Sequence, residues 1–316
     1  MREETVLKTP GVSRTLEMPR TRVRAYIRSK MNGKHLFAYT VVTPAVLFFA
    51  VFFYYPFFVN IYYMFTNYNY ITDSHFVGLK NILHFFHDPN ITTAFSNTFL
   101  LTAIGLPLAL ILALLVAIAV FYMTIGKTLI RSAIFSTSLV SAIVAAIIFK
   151  QWFGQELGFI DNTLASLHLA RIPWLTQPSW SLFGILLVII WGTLGYNMVI
   201  YLAGLSNVNQ ELVEAARVDG ANAWQCLLFI IIPQLRPTIV FLAITMVINF
   251  LKTYVQVAIL TNGGPYGSTR TILLYMFQQG FDFQNVGYAA VIAFALFLIT
   301  LLVTLIQLRV TRLSAD

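Results

Sequence analysis

Six long apolar stretches constrain this chain more than any other feature of its sequence. They lie at about 36–65, 95–123, 129–149, 181–205, 238–261 and 286–308. Each is close to the roughly 20 residues that a helix needs to cross the hydrocarbon core of a bilayer. Hydrophobic residues make up 58% of the 316 residues and charged residues only 10%, which excludes an ordinary soluble domain. The sequence therefore predicts an all-α membrane protein with six transmembrane helices.

The basic residues predict the orientation of these helices, because Lys and Arg near span ends are retained on the cytoplasmic side. Nine of the twenty precede residue 35. Six more fall on the same side if the spans alternate: Lys127, Arg131, Arg217, Arg236, Arg309 and Arg312. Both termini are thus predicted to be cytoplasmic, with a basic tail at 1–34, a transmembrane domain at 35–312 and a short tail at 313–316. The net charge of +8 then reflects membrane topology rather than affinity for nucleic acid.

A polar segment, Leu212–Pro237, lies between the fourth and fifth apolar stretches. Glu214, Ala215 and Ala216 begin a helical pattern whose small side chains let another surface approach the backbone. Asp219-Gly220 predicts the end of this helix, because Gly adopts a left-handed conformation without a Cβ clash. A second short helix is predicted from Ala221 to Pro233. We interpret the loop at about 206–237 as a bent helix–turn–helix on the cytoplasmic side that fits a groove on a partner.

This segment also carries a family resemblance. Glu214-Ala215-Ala216, two further residues, Asp219-Gly220-Ala221 and then Pro233 closely resemble the coupling motif of the permease subunits of binding-protein-dependent ABC importers. The resemblance implies that a coupling helix between the fourth and fifth spans seats in a cleft of an ATPase subunit and transmits its closure to the spans. It also implies a bacterial inner-membrane location and specific partners: a second homologous permease, two ATPase subunits and an extracytoplasmic solute-binding protein.

The sequence offers no nucleotide or metal site of its own. Gly126-Lys127-Thr128 looks like the end of a phosphate-binding P-loop, but Phe121 stands where that motif requires a glycine. We therefore expect no catalytic residue and no cofactor in this chain, and the resemblance implies that ATP and Mg²⁺ bind to the partner ATPases. His84 and His87 lie at helical spacing, but without a third ligand we expect no metal there.

Two predicted outer segments are rich in turn and aromatic residues. Asn262-Gly263-Gly264-Pro265 is a turn by its own chemistry. This turn resembles the outer loop of the carbohydrate-importer branch, in particular the larger-type permease of the maltose and glycerol-phosphate systems, where it approaches the binding protein. The other segment contains three tryptophans that we expect to act as interfacial anchors: Trp152, Trp174 and Trp180.

A solute path through a helical bundle needs polar groups that lipid does not tolerate, so polar residues within the spans are its candidates. In the fourth span these are Trp191, Thr193 and Tyr196. The resemblance places these three over the stretch that contacts sugar in the maltose-type permease. Helix–helix packing explains Thr193 and Tyr196 equally well.

The fifth span holds a second polar group at spacings expected for one helical face: Asn249, Lys252, Thr253 and Gln256. A lysine deep in a membrane costs about 2.5–3.5 kcal/mol on insertion scales unless it is paired or hydrated. Lys252 is therefore expected either to face the cavity or to extend its side chain to the outer headgroups. If it faces the cavity, an acidic oligosaccharide of the uronate type or a phosphorylated polyol is the indicated solute, and neutral oligosaccharides are the alternative.

Two other functional classes fit the sequence less well. A membrane-embedded transferase would need clustered catalytic groups, whereas the twelve acidic residues are scattered. A secondary transporter would be expected to show inverted repeats and ion-coupling carboxylates within its spans. None of the acidic residues lies within a predicted span.

Overall fold

A computed structural model describes residues 37–154 and 158–313. Within these ranges the protein is almost entirely helical, and the extended pairing found is an isolated antiparallel bridge between Thr66 and Phe76. This confirms the predicted helical class. The predicted tail at 1–34, and all but the first residue of the tail at 313–316, lie outside the described residues.

The first helix, α1, spans Phe37–Tyr63 and is long and apolar enough to cross a membrane. It contains a π-helical stretch at Ala50–Tyr54. The part up to residue 59 forms a compact unit of its own, and its aromatic rings pack along the helix: the ring centroids of Phe48 and Phe52 lie 4.9 Å apart. Apolar side chains on all sides of a helix of this length are typical of a membrane span.

The unit from residue 60 onward contains three long helices that could span a membrane. They are α3 (Pro89–Phe121), α7 (Pro178–Leu205) and α13 (Val286–Leu313). Shorter helices precede α3 and α7, namely α2 (Lys80–His87) and α6 (Phe159–Ser166). Asp88 caps the start of α3 by accepting a hydrogen bond from the Asn90 amide at 2.9 Å, and Pro89 occupies the first turn, where its missing N–H has no cost.

Two further candidate spans are bent, so residues 37–154 and 158–313 contain four candidate spans as single helices and up to six if each bent pair counts as one. The first pair joins α4 (Lys127–Ser136), extended by a 3₁₀ turn to Leu139, to α5 (Ala142–Trp152) at 96°. The apolar stretch predicted as a span at 129–149 therefore extends over two helices. The helix breaks because Val140 takes an extended conformation, which interrupts the backbone hydrogen-bond ladder.

The second bent pair joins α9 (Ala223–Gln234) to α10 (Arg236–Leu251) at 70°. Pro233 and Pro237 flank the bend, and each lacks the N–H that a continuous helix would use. The apolar stretch predicted as a span at 238–261 is not one continuous helix, since α10 ends at Leu251 and the short helix α11 covers Val255–Leu260. The remaining helices are α8 (Gln210–Val218) and α12 (Ile272–Phe277), the latter continued by a π-helical turn to Asp282.

Helices α3 and α7 run in the same direction, and both contribute buried side chains to the two largest core clusters. Near their starts, Asn97 and Ile104 line one cavity together with Pro178 and Leu186. At their other ends, Phe121 lines a second cavity together with residues 199–206. We call the end where α3 and α7 finish the coupling end, and the end where they begin the distal end.

Helix α4 crosses α7 at a glycine. A Cβ atom at Gly195 would meet the carbonyl oxygen of Ile134 and the Cα atom of Phe135, so only a residue without a side chain permits this approach. The Ser138 hydroxyl accepts a hydrogen bond from the Tyr196 amide at 2.8 Å. Ser138, one of four serines in the apolar stretch at 129–149, therefore serves helix packing.

Candidate functional site

The coupling segment, residues 206–237, has the helix–turn–helix form predicted from its sequence. Helix α8 ends at Asp219 and Gly220 follows with a positive φ of 88°. The Ala221 amide donates to the Ala216 carbonyl at 2.9 Å, and the Gly220 amide donates to the Arg217 carbonyl at 3.1 Å. These two hydrogen bonds form a Schellman motif, which satisfies the last carbonyls of α8 and reverses the chain direction.

The second helix of this segment begins with a capping box. The Asn222 side chain accepts from the Gln225 amide at 2.9 Å, and the Gln225 side chain accepts from the Asn222 amide at 2.8 Å. Two donors that would otherwise be unpaired are thereby satisfied. The second helix therefore begins at Ala223, two residues after the predicted position, and it continues without a break at the predicted end, Pro233.

Buried side chains fix the coupling segment to the core of the same chain. Val213 of α8 and Cys226 of α9 are buried in one cluster with Tyr201 and Leu205 of α7. The Asn209 amide also donates to the Gln234 side chain at 2.9 Å, which joins the two ends of the segment. A force on α8 would therefore act directly on the coupling end of α7.

The other face of the coupling segment is open. Glu214 and Ala215 are exposed, as are several large apolar side chains, Val218 at 86% among them: Leu212, Val218, Trp224, Leu228 and Phe229. A shallow cavity of about 370 Å³ lies between the helices and is lined by Ala216, Asp219, Gly220 and Ala221, among others. Exposed apolar side chains around a concavity are typical of a surface that binds another protein.

The candidate path residues of α7 differ in their surroundings. Trp191 is half-buried, and its ring meets that of Phe149 edge-to-face at a centroid distance of 5.3 Å. The Thr193 hydroxyl donates to the Ile189 carbonyl of its own helix at 2.9 Å. Tyr196 is exposed, and a Cβ atom at Gly192, one turn before it, would meet nothing within 4 Å. Residues 192 and 196 thus mark an open face of α7.

The second group of path candidates does not lie on one helical face, contrary to the sequence prediction. Lys252 caps the end of α10, and three residues separate this helix from α11. Asn249 and Lys252 are exposed and Gln256 is half-buried, whereas Thr253 is only 4% exposed. The helix breaks because the Thr253 carbonyl accepts a hydrogen bond from the Thr271 hydroxyl at 2.8 Å instead of serving α11.

The loop predicted to approach a binding protein is tightly hydrogen-bonded at the distal end. Asn262 is exposed, and Gly264 and Pro265 are joined by a cis peptide bond. The Thr269 hydroxyl donates to the Gly264 carbonyl at 2.7 Å. Tyr266, which sequence reasoning missed, follows the predicted Asn262–Pro265 turn and is fully exposed at 100%.

A buried carboxylate at the distal end was also missed. The hydroxyls of Tyr275 and Tyr288 donate to one oxygen of Asp88 at 2.6 and 2.7 Å. Burial raises the pKa of Asp88, but the hydrogen bonds from Tyr275, Tyr288 and Asn90 outweigh it and hold the pKa below its ordinary value. Burial, followed by the Asp88 charge, raises the pKa of Tyr275 to about 12. Asp88 is far from both tyrosines in the sequence, so no local sequence pattern predicts their contact.

One of the predicted interfacial tryptophans is a core residue instead. Trp174 is 7% exposed, and its ring stacks on Phe153 at a centroid distance of 4.9 Å. Its indole N–H donates to the buried carboxylate of Asp161 at 3.2 Å, which satisfies the ring's polar atom. Trp152 and Trp180 remain partly exposed.

The same helices match a known family model. Residues 82–313 fit the model of the binding-protein-dependent transport system inner membrane component, which covers most of the chain. The chain belongs to this family. The resemblance carried by residues 214–221 is therefore confirmed, and the exposed helix–turn–helix lies within the matched region.

Individual relatives of this permease are named as transport permeases for different solutes. This permease is 30% identical to the sulfoquinovosyl glycerol transport system permease protein SmoG of Agrobacterium fabrum over 89% of this chain and 92% of SmoG. It is also 32% identical to the osmoprotective compounds uptake permease protein GgtC of Synechocystis over 85% of this chain and 96% of GgtC.

A solved structure supports the fold of the permease. A chain from a bacterial ABC transporter that imports the acidic polysaccharide alginate superposes with a TM-score of 0.79 at 21% identity, covering 90% of this chain and 97% of that one. That transporter has also been solved with an alginate-bound periplasmic protein.

Family membership and these relatives establish the class of activity. The protein is a multi-pass membrane permease of a sugar ABC importer, and its family consists of transport subunits rather than enzymes. Hydrolysis of ATP in such importers is the task of partner subunits.

Proposed function

We propose that this permease imports an acidic oligosaccharide of the uronate type through a bacterial inner membrane. It crosses the membrane six times, with both termini and the coupling segment in the cytoplasm. A second homologous permease, two ATPase subunits that bind ATP and Mg²⁺, and an extracytoplasmic solute-binding protein complete the importer. Neutral oligosaccharides and glycerol-phosphate-like solutes are the alternatives. The observation that carries the importer cycle is the exposed helix–turn–helix at residues 214–221, fixed to the core through Val213.

The distribution of charge supports this orientation. Lys127, Arg131 and Arg217 belong to the coupling end, where α4 begins and α8 lies. Lys80 and Arg270 belong to the distal end, near Tyr288 and Tyr275. The coupling end therefore has more of these basic residues than the distal end, as expected for the cytoplasmic side, and the proposal assigns the basic tail at 1–34 to the same side.

The coupling segment transmits motion in this proposal. Exposed Val218, Trp224 and Phe229 enter a cleft on an ATPase subunit, with Glu214 and Asp219 at its polar rim. Closure of the ATPases then moves α8 and α9 together, because the Schellman turn and the capping box hold their relative direction. Val213 passes this movement to α7, and the spans switch between inward-facing and outward-facing states.

The solute path runs between the two permeases. If two chains enclose a path, the residues that form its wall are exposed when one chain is considered alone. The face of α7 at Gly192 and Tyr196 is exposed in this way. Trp191 and Thr193 support this face from the same helix. Asn249, Lys252 and Gln256 form a second polar group, whereas buried Thr253 is no longer a candidate. At the distal end, the loop at Asn262–Pro265, extended by exposed Tyr266, meets the binding protein.

Lys252 carries the proposed substrate class. The adjoining Thr253 carbonyl is bonded to Thr271, and the next amide, Ile272, donates to the Thr98 hydroxyl at 3.0 Å. Thr98 is nine residues into α3, which is about 14 Å from the start of that helix, so Lys252 adjoins a residue that is hydrogen-bonded within the bundle rather than at its edge. An exposed lysine at this depth needs an anion or water as its partner, and a uronate carboxylate supplies one.

The test compares Lys252→Gln with the wild type in an importer assembled in lipid with its binding protein. Acidic and neutral oligosaccharides are titrated while ATP hydrolysis is measured. A charge-assisted hydrogen bond is worth about 1.5–3 kcal/mol, so the acidic sugar should need a roughly 10- to 100-fold higher concentration in the variant. Lys150→Gln is the matched control, because Lys150 is an exposed lysine at the far end of α5.

Each outcome separates the two parts of the proposal. Unchanged stimulation of Lys252→Gln by the acidic sugar, or stimulation by neutral sugars alone, would remove the acidic substrate and leave the importer. Loss of stimulation on replacing Glu214 or Gly220, whatever the sugar, would support the coupling role. An assembly without any associated ATPase activity would overturn the importer itself.

A further inference from the structure

A cationic cavity lies at the coupling end, outside the solute path and beside the first residue of the coupling segment, Ser206. It has a volume of about 280 Å³ and is bounded by the start of α4 and the last two turns of α7. Its polar lining comes from Lys127, Arg131 and Ser206, and its apolar lining includes Phe121, Val199 and Leu202. None of the described residues that line it is acidic. The cavity therefore combines two positive charges with an apolar wall.

The position of Lys127 is fixed by its own neighbours. Its ammonium group donates to the Phe121 carbonyl at 2.9 Å and lies 5.0 Å from the centroid of the Phe121 ring. This uses one of the three ammonium donors and holds the charge at the cavity. Arg131 follows one helical turn later on the same face of α4 and is exposed. The two cations thus line one side of the same opening.

The apolar side of the cavity belongs to membrane-spanning helices. Phe121 is the last residue of α3, and Ser206 caps the end of α7. The ends of such helices lie near the headgroup region of a bilayer. A ligand here therefore meets cations toward the aqueous side and Val199 and Leu202 toward the hydrocarbon side.

We propose that this cavity binds the phosphate group of an anionic phospholipid. Guanidinium and ammonium groups together supply the donors that a phosphodiester accepts, and basic pockets between spans at a membrane surface bind such headgroups. The apolar wall accommodates the glycerol and first acyl carbons, for which inorganic phosphate has no counterpart. The site joins α4 to α7, and Ser206 in its lining lies three residues before Asn209, which caps α8. The bound lipid therefore stabilises the helices that support the coupling segment.

The test measures lipid binding directly and does not depend on the transported solute. The full-length protein, purified with the subunits that accompany it, is placed in nanodiscs of phosphatidylcholine with or without phosphatidylglycerol. Retained lipids are counted by native mass spectrometry, and thermal unfolding is followed in parallel. Phosphatidylglycerol should raise the Tm of the wild type, and the double variant K127Q/R131Q should lose this shift. At about 1 kcal/mol per basic residue, its apparent affinity for the lipid should fall by roughly 20- to 30-fold.

Two further variants keep the result interpretable. The charge-preserving exchange K127R/R131K should retain the lipid, which shows that the fold tolerates changes at these positions. Arg309→Gln removes an exposed cation of α13 outside this cavity and should retain the lipid as well.

Three outcomes would overturn the proposal. The first is equal lipid retention by K127Q/R131Q and the wild type. The second is an equal Tm shift from inorganic phosphate added to phosphatidylcholine nanodiscs, which would assign the site to a free anion. The third is loss of another protein subunit from K127Q/R131Q with unchanged lipid binding, which would assign the cations to a protein interface.

Discussion

The hydrogen bonds of the coupling segment join residues that are close in the sequence, whereas those of the distal end join residues that are far apart in it. Within the coupling segment, the Asn209 cap and the capping box join residues two and three positions apart, and the longest of these bonds, from Asn209 to Gln234, spans 25. At the distal end, Asn97 bonds to the Gly267 carbonyl across 170 residues and Tyr288 bonds to Asp88 across 200. The first region follows local rules, whereas the second exists only once the whole chain is folded.

This difference explains why one region was visible in the sequence and the other was not. A Schellman turn needs a glycine at one position, and a capping box needs two polar residues three positions apart. Both can therefore be predicted from a short stretch of sequence. No local sequence motif surrounds Asp88, Tyr275 or Tyr288. Only the packing of α3 against α12 and α13 brings these three residues together.

The largest effect is expected from breaking the local region at Gly220. Gly220→Val places a β-branched residue at a φ of 88°, where a left-handed conformation costs an ordinary residue roughly 1–2 kcal/mol. The turn should distort, and substrate-stimulated ATP hydrolysis should fall about tenfold or more. Gly220→Asn is the control, because Asn tolerates this conformation, and it should retain most of the activity. Equal activity of both variants with the wild type would show that the turn geometry is not needed.

The largest effect on stability, as opposed to activity, is expected at the distal end from Asp88→Asn. The amide cannot accept from both tyrosine hydroxyls and the Asn90 amide as the carboxylate does, and the loss of hydrogen bonds to a charged group should cost about 3 kcal/mol of unfolding free energy. Thermal unfolding in detergent measures this as a lower Tm. Asp73→Asn, at an exposed aspartate, should leave the Tm unchanged, and a similar drop in both variants would contradict the prediction.

The same carboxylate predicts a pH dependence. Because the pKa of Asp88 is lowered in the folded state, its contribution is full above the unfolded value of 3.8 and is lost as the pH falls through the folded-state pKa. Tyr275 acts at the other extreme, since its contribution is full below 10.0 and is lost as the pH rises toward its pKa of about 12. The Tm of Asp88→Asn should therefore fall less on acidification than that of the wild type, and a parallel fall would refute the assignment.

A smaller effect is expected where α4 crosses α7. Gly195→Ala introduces a Cβ atom against the Ile134 carbonyl, and such overpacking costs about 1–3 kcal/mol. Gly192→Ala, three residues earlier in the same helix, meets open space and should stabilise α7 by up to about 1 kcal/mol through helix propensity. The two Tm values should move in opposite directions. A shift in the same direction would mean that the open face of α7 is occupied in the assembled protein.

The smallest effect is expected from Thr253→Val. The Thr253 hydroxyl is buried and donates to the Asn249 carbonyl at 3.3 Å, so its loss should cost at most about 1 kcal/mol. Transport kinetics should be unchanged, in contrast to Lys252→Gln, because the side chain does not reach the solute. A change in the sugar concentration needed for half-maximal ATP hydrolysis would return Thr253 to the path.

The spans show the limits of sequence reasoning most clearly. Their approximate positions followed from apolar length alone, because crossing a bilayer sets that length. Their shapes did not, because apolar length carries no information on the 96° bend at Val140 or the 70° bend between Pro233 and Pro237. The predicted polar face at 249–256 was wrong for a different reason, since the Thr253 carbonyl accepts a hydrogen bond from Thr271 where the helix breaks. Trp174 was misplaced because its partner, Asp161, lies thirteen residues away.

The sequence by itself determined that the chain is a helical membrane protein, and its coupling motif identified the family that the comparison with known proteins confirmed. Both properties depend on composition and on interactions between residues close in the chain, which sequence order preserves. Only the tertiary structure decided where the spans bend, that Lys252 and Tyr196 are exposed, and how Asp88 contacts two tyrosines. These features arise from contacts between residues far apart in the chain, whose geometry is set by the packing of the folded protein.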